Sequence, residues 1–116
     1  MPSDPVQAQL DAYNARDIEA FAACYADDVR VYDLDANTER FRGLDELRAR
    51  YGPQFINLPQ QRAKVVSRQR VGLFTVDVEF VTGSGERPDA HVIAIYRVDG
   101  TGAGAKIDRV WFSPRG

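Results

Sequence analysis

Residues 16–33 read RDIEAFAACYADDVRVYD, and the pattern of this stretch changes midway from that of a helix to that of a strand. Asp17 is placed to cap a helix whose apolar residues then recur at intervals of three and four. After an acidic pair, Val29, Val31 and Asp33 share one face of a strand, because strand side chains alternate. Asp33 thus places a carboxylate on an apolar face. If that face lines a pocket, desolvation raises the pKa of Asp33 and makes it a better base than a surface aspartate.

The size and composition of the chain restrict its class. Its 116 residues predict one domain spanning residues 1–116. With 44% hydrophobic and 28% charged residues it has the composition of an ordinary globular protein, and its net charge of -2 argues against nucleic-acid binding. No apolar run approaches the ~20 residues of a membrane span. Cys24 is the one cysteine, so no disulfide can form within the chain and a reducing, cytoplasmic location is expected.

The first half of the chain predicts three helices and one polar segment. Asp4 is placed to cap the first helix, as Asp17 is for the second. Residues 34–42 are mainly polar and are expected to form a loop. A third helix begins after Gly43 and is expected to stop or kink at Gly52, before a last turn that carries Phe55 and Ile56, because the residue before a proline disfavours helical angles.

The second half of the chain has the period of two that is typical of strands. Residues 74–80 alternate between apolar and polar, which predicts a strand with its phenylalanines and valines buried and its acidic residues in solvent. Residues 90–98 are apolar on both faces, so the face that carries Ile93, Ile95 and Trp111 is expected to meet a second subunit. Together, these helices and strands predict an α+β fold, a cone-shaped roll of three N-terminal helices against a bent antiparallel sheet.

Three short motifs in the opening stretch resemble those of a known family: D-I-E-A at 17–20, Y-A-D-D at 25–28 and V-x-D at 31–33. With them the chain resembles ketosteroid isomerase and its relatives, the SnoaL-like branch of the nuclear-transport-factor-two-like superfamily. The resemblance implies a cystatin-like cone with an apolar interior and no cofactor or metal. It also implies isomerase, cyclase or dehydratase chemistry on a small apolar or carbonyl-containing molecule.

The resemblance further implies roles for particular residues. Asp33 takes the place of the isomerase's proton-shuttling aspartate. The positions of the isomerase's two oxyanion donors hold Gln9 and Ala94, and losing one such donor typically costs ~100- to 1000-fold in rate, so the family's own steroid isomerisation is not expected. Tyr51 or Gln9 is predicted to donate a neutral hydrogen bond instead. The predicted catalytic residues are therefore Asp33, Tyr51 and Gln9.

A ligand pocket is predicted inside the cone, walled by aromatic and apolar side chains. The predicted lining consists of Tyr13, Tyr25, Phe55, Phe74, Val78, Phe80, Val92, Ala94, Val110 and Phe112. A non-catalytic alternative stays open: a cone filled by its own side chains indicates an interaction module, whereas an open cavity indicates an enzyme or a ligand carrier. His91, the one histidine, is predicted to be structural, because a lone imidazole has neither metal-binding nor triad partners.

Overall fold

The structure, a computed structural model, describes residues 4–100 and 104–114. Within those ranges, three helices and six strands follow one another along the chain. In order they are α1 (Pro5–Ala15), α2 (Ile18–Ala22), β1 (Tyr25–Asp33), β2 (Thr38–Arg42), α3 (Leu44–Asn57), β3 (Arg62–Val71), β4 (Phe74–Thr82), β5 (Ala90–Asp99) and β6 (Lys106–Phe112). Helix α1 contacts β3, β5 and β6, and α3 contacts β1 and β2, so the helices cover one face of the sheet.

Aspartate side chains begin the first two helices, as the sequence predicts. The Asp4 carboxylate accepts a hydrogen bond from the backbone N–H of Val6 at 3.2 Å, and that of Asp17 accepts one from Ala20 at 3.1 Å. Such caps typically stabilise a helix start by ~1 kcal/mol. Arg16 makes the turn between the two helices, with a φ of 58° in the left-handed region.

The six strands form one sheet in the order β2-β1-β6-β5-β4-β3. Neighbours are antiparallel except β1 and β6, which pair in parallel. Parallel neighbours need a long connection, and here it contains α3 and four strands. The predicted α+β class, with three helices against a sheet, is confirmed, and the parallel pair departs from the fully antiparallel sheet that the sequence predicts.

The prediction of a loop over residues 34–42 is wrong in its second half. Thr38–Arg42 forms β2, an edge strand paired with β1. Phe41 is the one buried residue of this strand, so the segment lacks the apolar alternation by which a sequence reveals a strand. The pairing brings Arg40 beside Asp33, which decides the environment of that carboxylate.

Helix α3 runs to Asn57, so it does not stop at Gly52, and the expected last turn with Phe55 and Ile56 is present. Pro53 lies inside the helix, where it removes one backbone hydrogen bond. The turn after it carries Phe55, which is buried with its ring centroid 5.4 Å from that of Phe21. The burial of this ring holds the last turn in place and offsets the loss of the hydrogen bond.

Strand β4 faces the opposite way from the prediction. The side chains buried beneath the helices are Thr75, Asp77, Glu79 and Val81. The apolar set lies on the outer face of the sheet, where Phe74 is 40% and Val76 36% exposed. Alternation shows which residues share a face, but the neighbouring strand decides which face is covered: Asp77 pairs with Ala94, which is fully buried. Two acidic residues, Asp77 and Glu79, therefore lie inside the fold.

The hydrophobic core joins the helices to the inner face of the sheet. Its largest fully buried side chains include Phe21 from α2, Leu47 from α3, and Tyr96 and Ile107 from the central strands. None of the helices in residues 4–100 and 104–114 has the length and apolar character needed to cross a bilayer.

Candidate active site

A cavity of about 330 Å³ lies between the helices and the inner face of the sheet. Small-molecule sites generally have volumes of about 300–1,000 Å³, so this one lies at the lower end of the range. Helix and strand residues line it together. Those that the sequence predicts for the site and that do line the cavity are Gln9, Tyr13, Tyr25, Tyr51, Val92 and Phe112.

A chain of hydrogen bonds crosses the wall of this cavity and ends on a buried carboxylate. The Tyr25 hydroxyl donates to Oε1 of Gln9 at 3.0 Å. The Gln9 amide donates to the hydroxyl of Tyr96 at 3.2 Å and to the carbonyl oxygen of Val6 at 3.0 Å. The Tyr96 hydroxyl donates to Oε2 of Glu79 at 3.1 Å. Every donor in the chain therefore points toward Glu79.

Glu79 is the group in the cavity wall that is suited to proton transfer. Burial raises its pKa to about 7, and the negative charge of Asp77 acts in the same direction. The hydrogen bond from Tyr96 and the charge of Arg68 oppose that rise. Glu79 is 7% exposed, and no described residue donates a hydrogen bond to its Oε1. A carboxylate that titrates near neutral pH beside a cavity can accept and return a proton.

The tyrosines around Glu79 act as neutral groups. Burial raises the pKa of Tyr25 and of Tyr96 well above the usual range of a tyrosine, and it raises that of Tyr51. All three hydroxyls stay protonated at neutral pH and remain hydrogen-bond donors. The Tyr51 hydroxyl makes no hydrogen bond to another described residue, so it is free to donate to a bound molecule.

The prediction that Asp33 lies on an apolar pocket wall, with a raised pKa, is wrong. Its carboxylate is 31% exposed, is ion-paired with Arg40 and accepts a hydrogen bond from Thr38 at 3.2 Å. The hydrogen bond from Arg40 is the main cause that lowers the pKa of Asp33, and Thr38 adds to it, although partial burial opposes the change. Asp33 does not line the cavity. Its pKa therefore moves in the direction opposite to that predicted, and it is a weaker base than an ordinary aspartate.

The role of Gln9 as a donor to a ligand also needs correction. Its side-chain nitrogen already donates to two acceptors, Val6 and Tyr96, and its side-chain oxygen accepts from Tyr25. An amide has two N–H groups, so neither remains for a ligand. Gln9 positions Tyr96 against Glu79, and of the two predicted donors Tyr51 is the one that is available.

Part of the predicted lining lies elsewhere. The residues that do not line the cavity are Phe55, Phe74, Val78, Phe80, Ala94 and Val110. Phe55 is buried in the core beneath the guanidinium of Arg16, which lies 4.4 Å from its ring centroid. Ala94 and Val110 are buried among other side chains of the sheet. The three residues of β4 are excluded because that strand presents its acidic face to the helices.

The remaining polar lining is cationic. Arg40 from β2, Arg50 from α3 and Arg87 from the β4–β5 connection all line the cavity. The guanidinium of Arg40 lies 5.7 Å from the ring centroid of Phe112, and that of Arg50 lies 4.7 Å from the ring of Phe41. These side chains are more exposed than Glu79, so they mark the open side of the cavity.

The fold and this cavity can now be compared with known proteins. The family model of the SnoaL-like domain matches residues 6–108. The chain belongs to the SnoaL-like domain family. The resemblance seen in the sequence is therefore confirmed, and no curated protein matches the chain.

Solved structures similar to this SnoaL-like domain share its fold. An uncharacterized cystatin fold protein from Novosphingobium aromaticivorans is 25% identical, with a TM-score of 0.79 over 93% of each chain. A "putative polyketide cyclase" from Sinorhizobium meliloti is 18% identical, with a TM-score of 0.75 over 95% of this chain and 94% of that one. A "putative ketosteroid isomerase" from Kribbella flavida is 18% identical, with a TM-score of 0.68 over 97% and 76%.

Sequence reasoning misses Glu79 and Tyr96 in this SnoaL-like domain. The alternation in β4 predicts Glu79 in solvent, and Tyr96 occupies a strand in which both faces look apolar. The only signal that relates these two residues is indirect. Glu79 pairs with Val92 across the sheet, and Val92 and Tyr96 share a face of β5. That register is set by tertiary pairing, so the two residues become a pair only in the folded chain.

The described part of the chain offers no metal centre. No three histidine, cysteine, aspartate or glutamate side chains in residues 4–100 and 104–114 are grouped so that they could hold an ion.

Proposed function

We propose that this SnoaL-like domain binds a small, largely apolar molecule with a carbonyl group and transfers a proton within it, with Glu79 as the base in place of Asp33. The observation that carries the proposal is a cavity wall containing a buried carboxyl whose pKa is raised to about 7. A base works best when its pKa lies near the working pH, because it is then often ionised and still holds a proton well. The relatives named for isomerase and cyclase activity agree with this class of reaction.

The proposed step moves one proton and one electron pair. Ionised Glu79 accepts the proton from the carbon next to the carbonyl, and the electron pair of that C–H bond moves through the carbon framework to the carbonyl oxygen. The Tyr51 hydroxyl donates a hydrogen bond to the resulting enolate oxygen. The electron pair then returns from the oxygen to carbon, and Glu79 gives the proton back to the same carbon or, where a C=C bond lies next to it, to the far carbon of that bond. The enzyme ends as it began and no cofactor is consumed.

The test uses a neutral aromatic ketone, phenylacetone, and follows the exchange of deuterium from water into the carbon next to its carbonyl. Glu79→Gln keeps the size and polarity of the side chain but cannot take a proton. We expect it to lower the exchange rate by about 100-fold, the lower part of the range for a general base. Exchange is measured by nuclear magnetic resonance against a buffer blank.

The matched control is Asp33→Asn, which makes the same change in the carboxylate outside the cavity. We expect its rate to stay close to that of the wild type. A loss in Asp33→Asn with full rate in Glu79→Gln would return the role of base to Asp33. Saturable binding of phenylacetone with no exchange above the blank in the wild type would leave a ligand carrier and remove the catalytic proposal.

The partner proposed for this domain is a second copy of itself, bound through the outer face of the sheet. Exposed apolar side chains meet there: Phe74 and Val76 of β4 and Ile93 of β5 are 40%, 36% and 39% exposed. Trp111 stacks on Tyr32 at 5.6 Å on the same face. Four strands about 4.8 Å apart and about 30 Å long project about 600 Å². That area approaches the ~800 Å² that each partner contributes to a stable interface.

Val76→Arg tests this partner. Val76 lies on β4 and pairs with Ile95 of β5, so an arginine there would bury an unpaired charge in the interface. We expect a wild-type dimer and a monomeric variant in sedimentation at micromolar concentration. Ile56→Arg is the control, because Ile56 is equally apolar but lies exposed on α3. A monomeric wild type, or a variant that stays dimeric, would contradict the proposal.

A further inference from the structure

We infer that the ligand of this cavity is an organic acid, an apolar molecule whose carboxylate is bound by the arginines at the open side of the cavity. The inference rests on the proposed function, since it concerns a ligand of the same site. It adds the chemical class of that ligand and a residue that would select it, Arg87.

The charge of the cavity lining carries the argument. The chain has 17 acidic and 15 basic residues. Among the described lining residues, Glu79 is the one acid, and three arginines line the same cavity. Burial raises the pKa of Glu79 to about 7, so below that pH its carboxyl is mostly protonated and offsets little of that positive charge. The lining is therefore cationic although the whole chain is slightly anionic.

Arg87 is the arginine with the least compensation. No carboxylate of residues 4–100 and 104–114 lies within ion-pair distance of its guanidinium, although Glu86 and Asp89 are near it in sequence. Its side chain is exposed on the connection between β4 and β5 and still lines the cavity. An arginine without a carboxylate partner in the wall of a cavity is suited to bind a carboxylate through two parallel hydrogen bonds.

Arg40 and Arg50 form a second cationic edge of the cavity. Arg50 donates to the carbonyl oxygen of Arg40 at 3.3 Å, so the two side chains are neighbours. Asp33 holds Arg40 by an ion pair, and Glu46 is 3.8 Å from Arg50, the long end of such contacts. Both arginines are therefore partly compensated by carboxylates that lie outside the cavity.

The position of these charges predicts how the ligand lies. The rings of Tyr13, Phe21 and Tyr25 provide the enclosed part of the lining, and Phe21 is 1% exposed. The arginines are exposed. A molecule with an apolar body and a terminal carboxylate satisfies both regions. A wholly apolar molecule leaves the guanidinium of Arg87 without a carboxylate partner, and a small inorganic anion leaves the rings empty.

The test compares phenylbutyrate with phenylbutanol, which have the same apolar body and differ in the charged group. Binding of each is measured by calorimetry at neutral pH. We expect the acid to bind about tenfold more tightly, the scale of one charged hydrogen-bond pair at a partly exposed site. Arg87→Gln is expected to remove about fivefold of the acid's affinity and none of the alcohol's. Added salt should weaken binding of the acid alone.

Arg48→Gln is the matched control, because Arg48 lies on α3 two positions before Arg50 but pairs with Glu19 outside the cavity. We expect it to leave both affinities unchanged. Equal affinities of the acid and the alcohol would overturn the inference and leave the ligand site standing. An equal loss of acid affinity in Arg48→Gln and Arg87→Gln would also overturn it, since the effect would then be one of overall charge. Binding of neither compound would overturn both the inference and the ligand site.

Discussion

Asp77→Asn is expected to lower the free energy of unfolding by about 3 kcal/mol, because it removes one partner of a buried ion pair. The Asp77 carboxylate is fully buried and accepts two hydrogen bonds from Arg68, at 2.7 and 2.9 Å. Arg68 also donates to Gln7 at 2.8 Å, so the pair ties β3 and β4 to α1. The hydrogen bond with Asp77 raises the pKa of Arg68. In the variant, Arg68 keeps its positive charge but has lost the negative charge of its partner.

The change is measured by urea denaturation at neutral pH, with two comparisons. The double variant Arg68→Met/Asp77→Leu removes both charges, and we expect it to recover most of the loss, since an apolar pair of similar volume often replaces a buried ion pair without cost. Glu19→Gln breaks the exposed pair with Arg48 and should cost less than about 1 kcal/mol. Equal small losses in both single variants would show that burial adds nothing to the Asp77 pair.

Asp77→Asn also has a consequence for the cavity. The negative charge of Asp77 is one of the causes that raise the pKa of Glu79, and the charge of Arg68 opposes it. Removing Asp77 leaves the opposing charge alone, so the pKa of Glu79 should fall in the variant. Asp77 thus supports both the stability of the fold and the proton affinity of the carboxyl in the cavity.

The helix starts and the fold class could be read from the sequence because their causes are local. Asp17 caps its helix through an amide three residues away, and Val29 and Val31 are buried as their alternation predicts. The edge strand β2 could not be read in the same way. An edge strand with one buried residue, Phe41, has the composition of a loop, and its pairing with β1 supplies the structure.

The candidate site could be predicted only in part, because the sequence fixes which residues share a face but not the direction of that face. In β4 the alternation is correct and the burial is reversed. Residues of the two neighbouring strands decide which face is buried: Arg68 of β3 pairs with Asp77, and Tyr96 of β5 donates a hydrogen bond to Glu79. The polarity of the residues alone predicts solvent for both acids, but their partners make burial possible. For Asp33, the deciding residue is Arg40, which lies in a segment predicted to be a loop.

Glu79 is expected to make the domain less stable as the pH rises from about 4.5 to about 7. An unfolded chain ionises this glutamate near 4.5, whereas burial raises the pKa in the folded state to about 7. Between those values the folded state holds a proton that the unfolded state has lost, so the free energy of unfolding falls with pH. The difference corresponds to about 3 kcal/mol at most, and the loss is complete above the folded-state pKa.

Glu79→Gln tests this directly, because glutamine keeps the hydrogen bond from Tyr96 and carries no titrating proton. We expect urea denaturation at intervals between about pH 5 and pH 8 to show a fall of stability in the wild type that is absent in the variant. Glu86→Gln, on the exposed β4–β5 connection, is the control and should keep the fall. Parallel curves for the wild type and Glu79→Gln would mean that Glu79 is ionised throughout, and the base proposed for the cavity would then be an ordinary carboxylate.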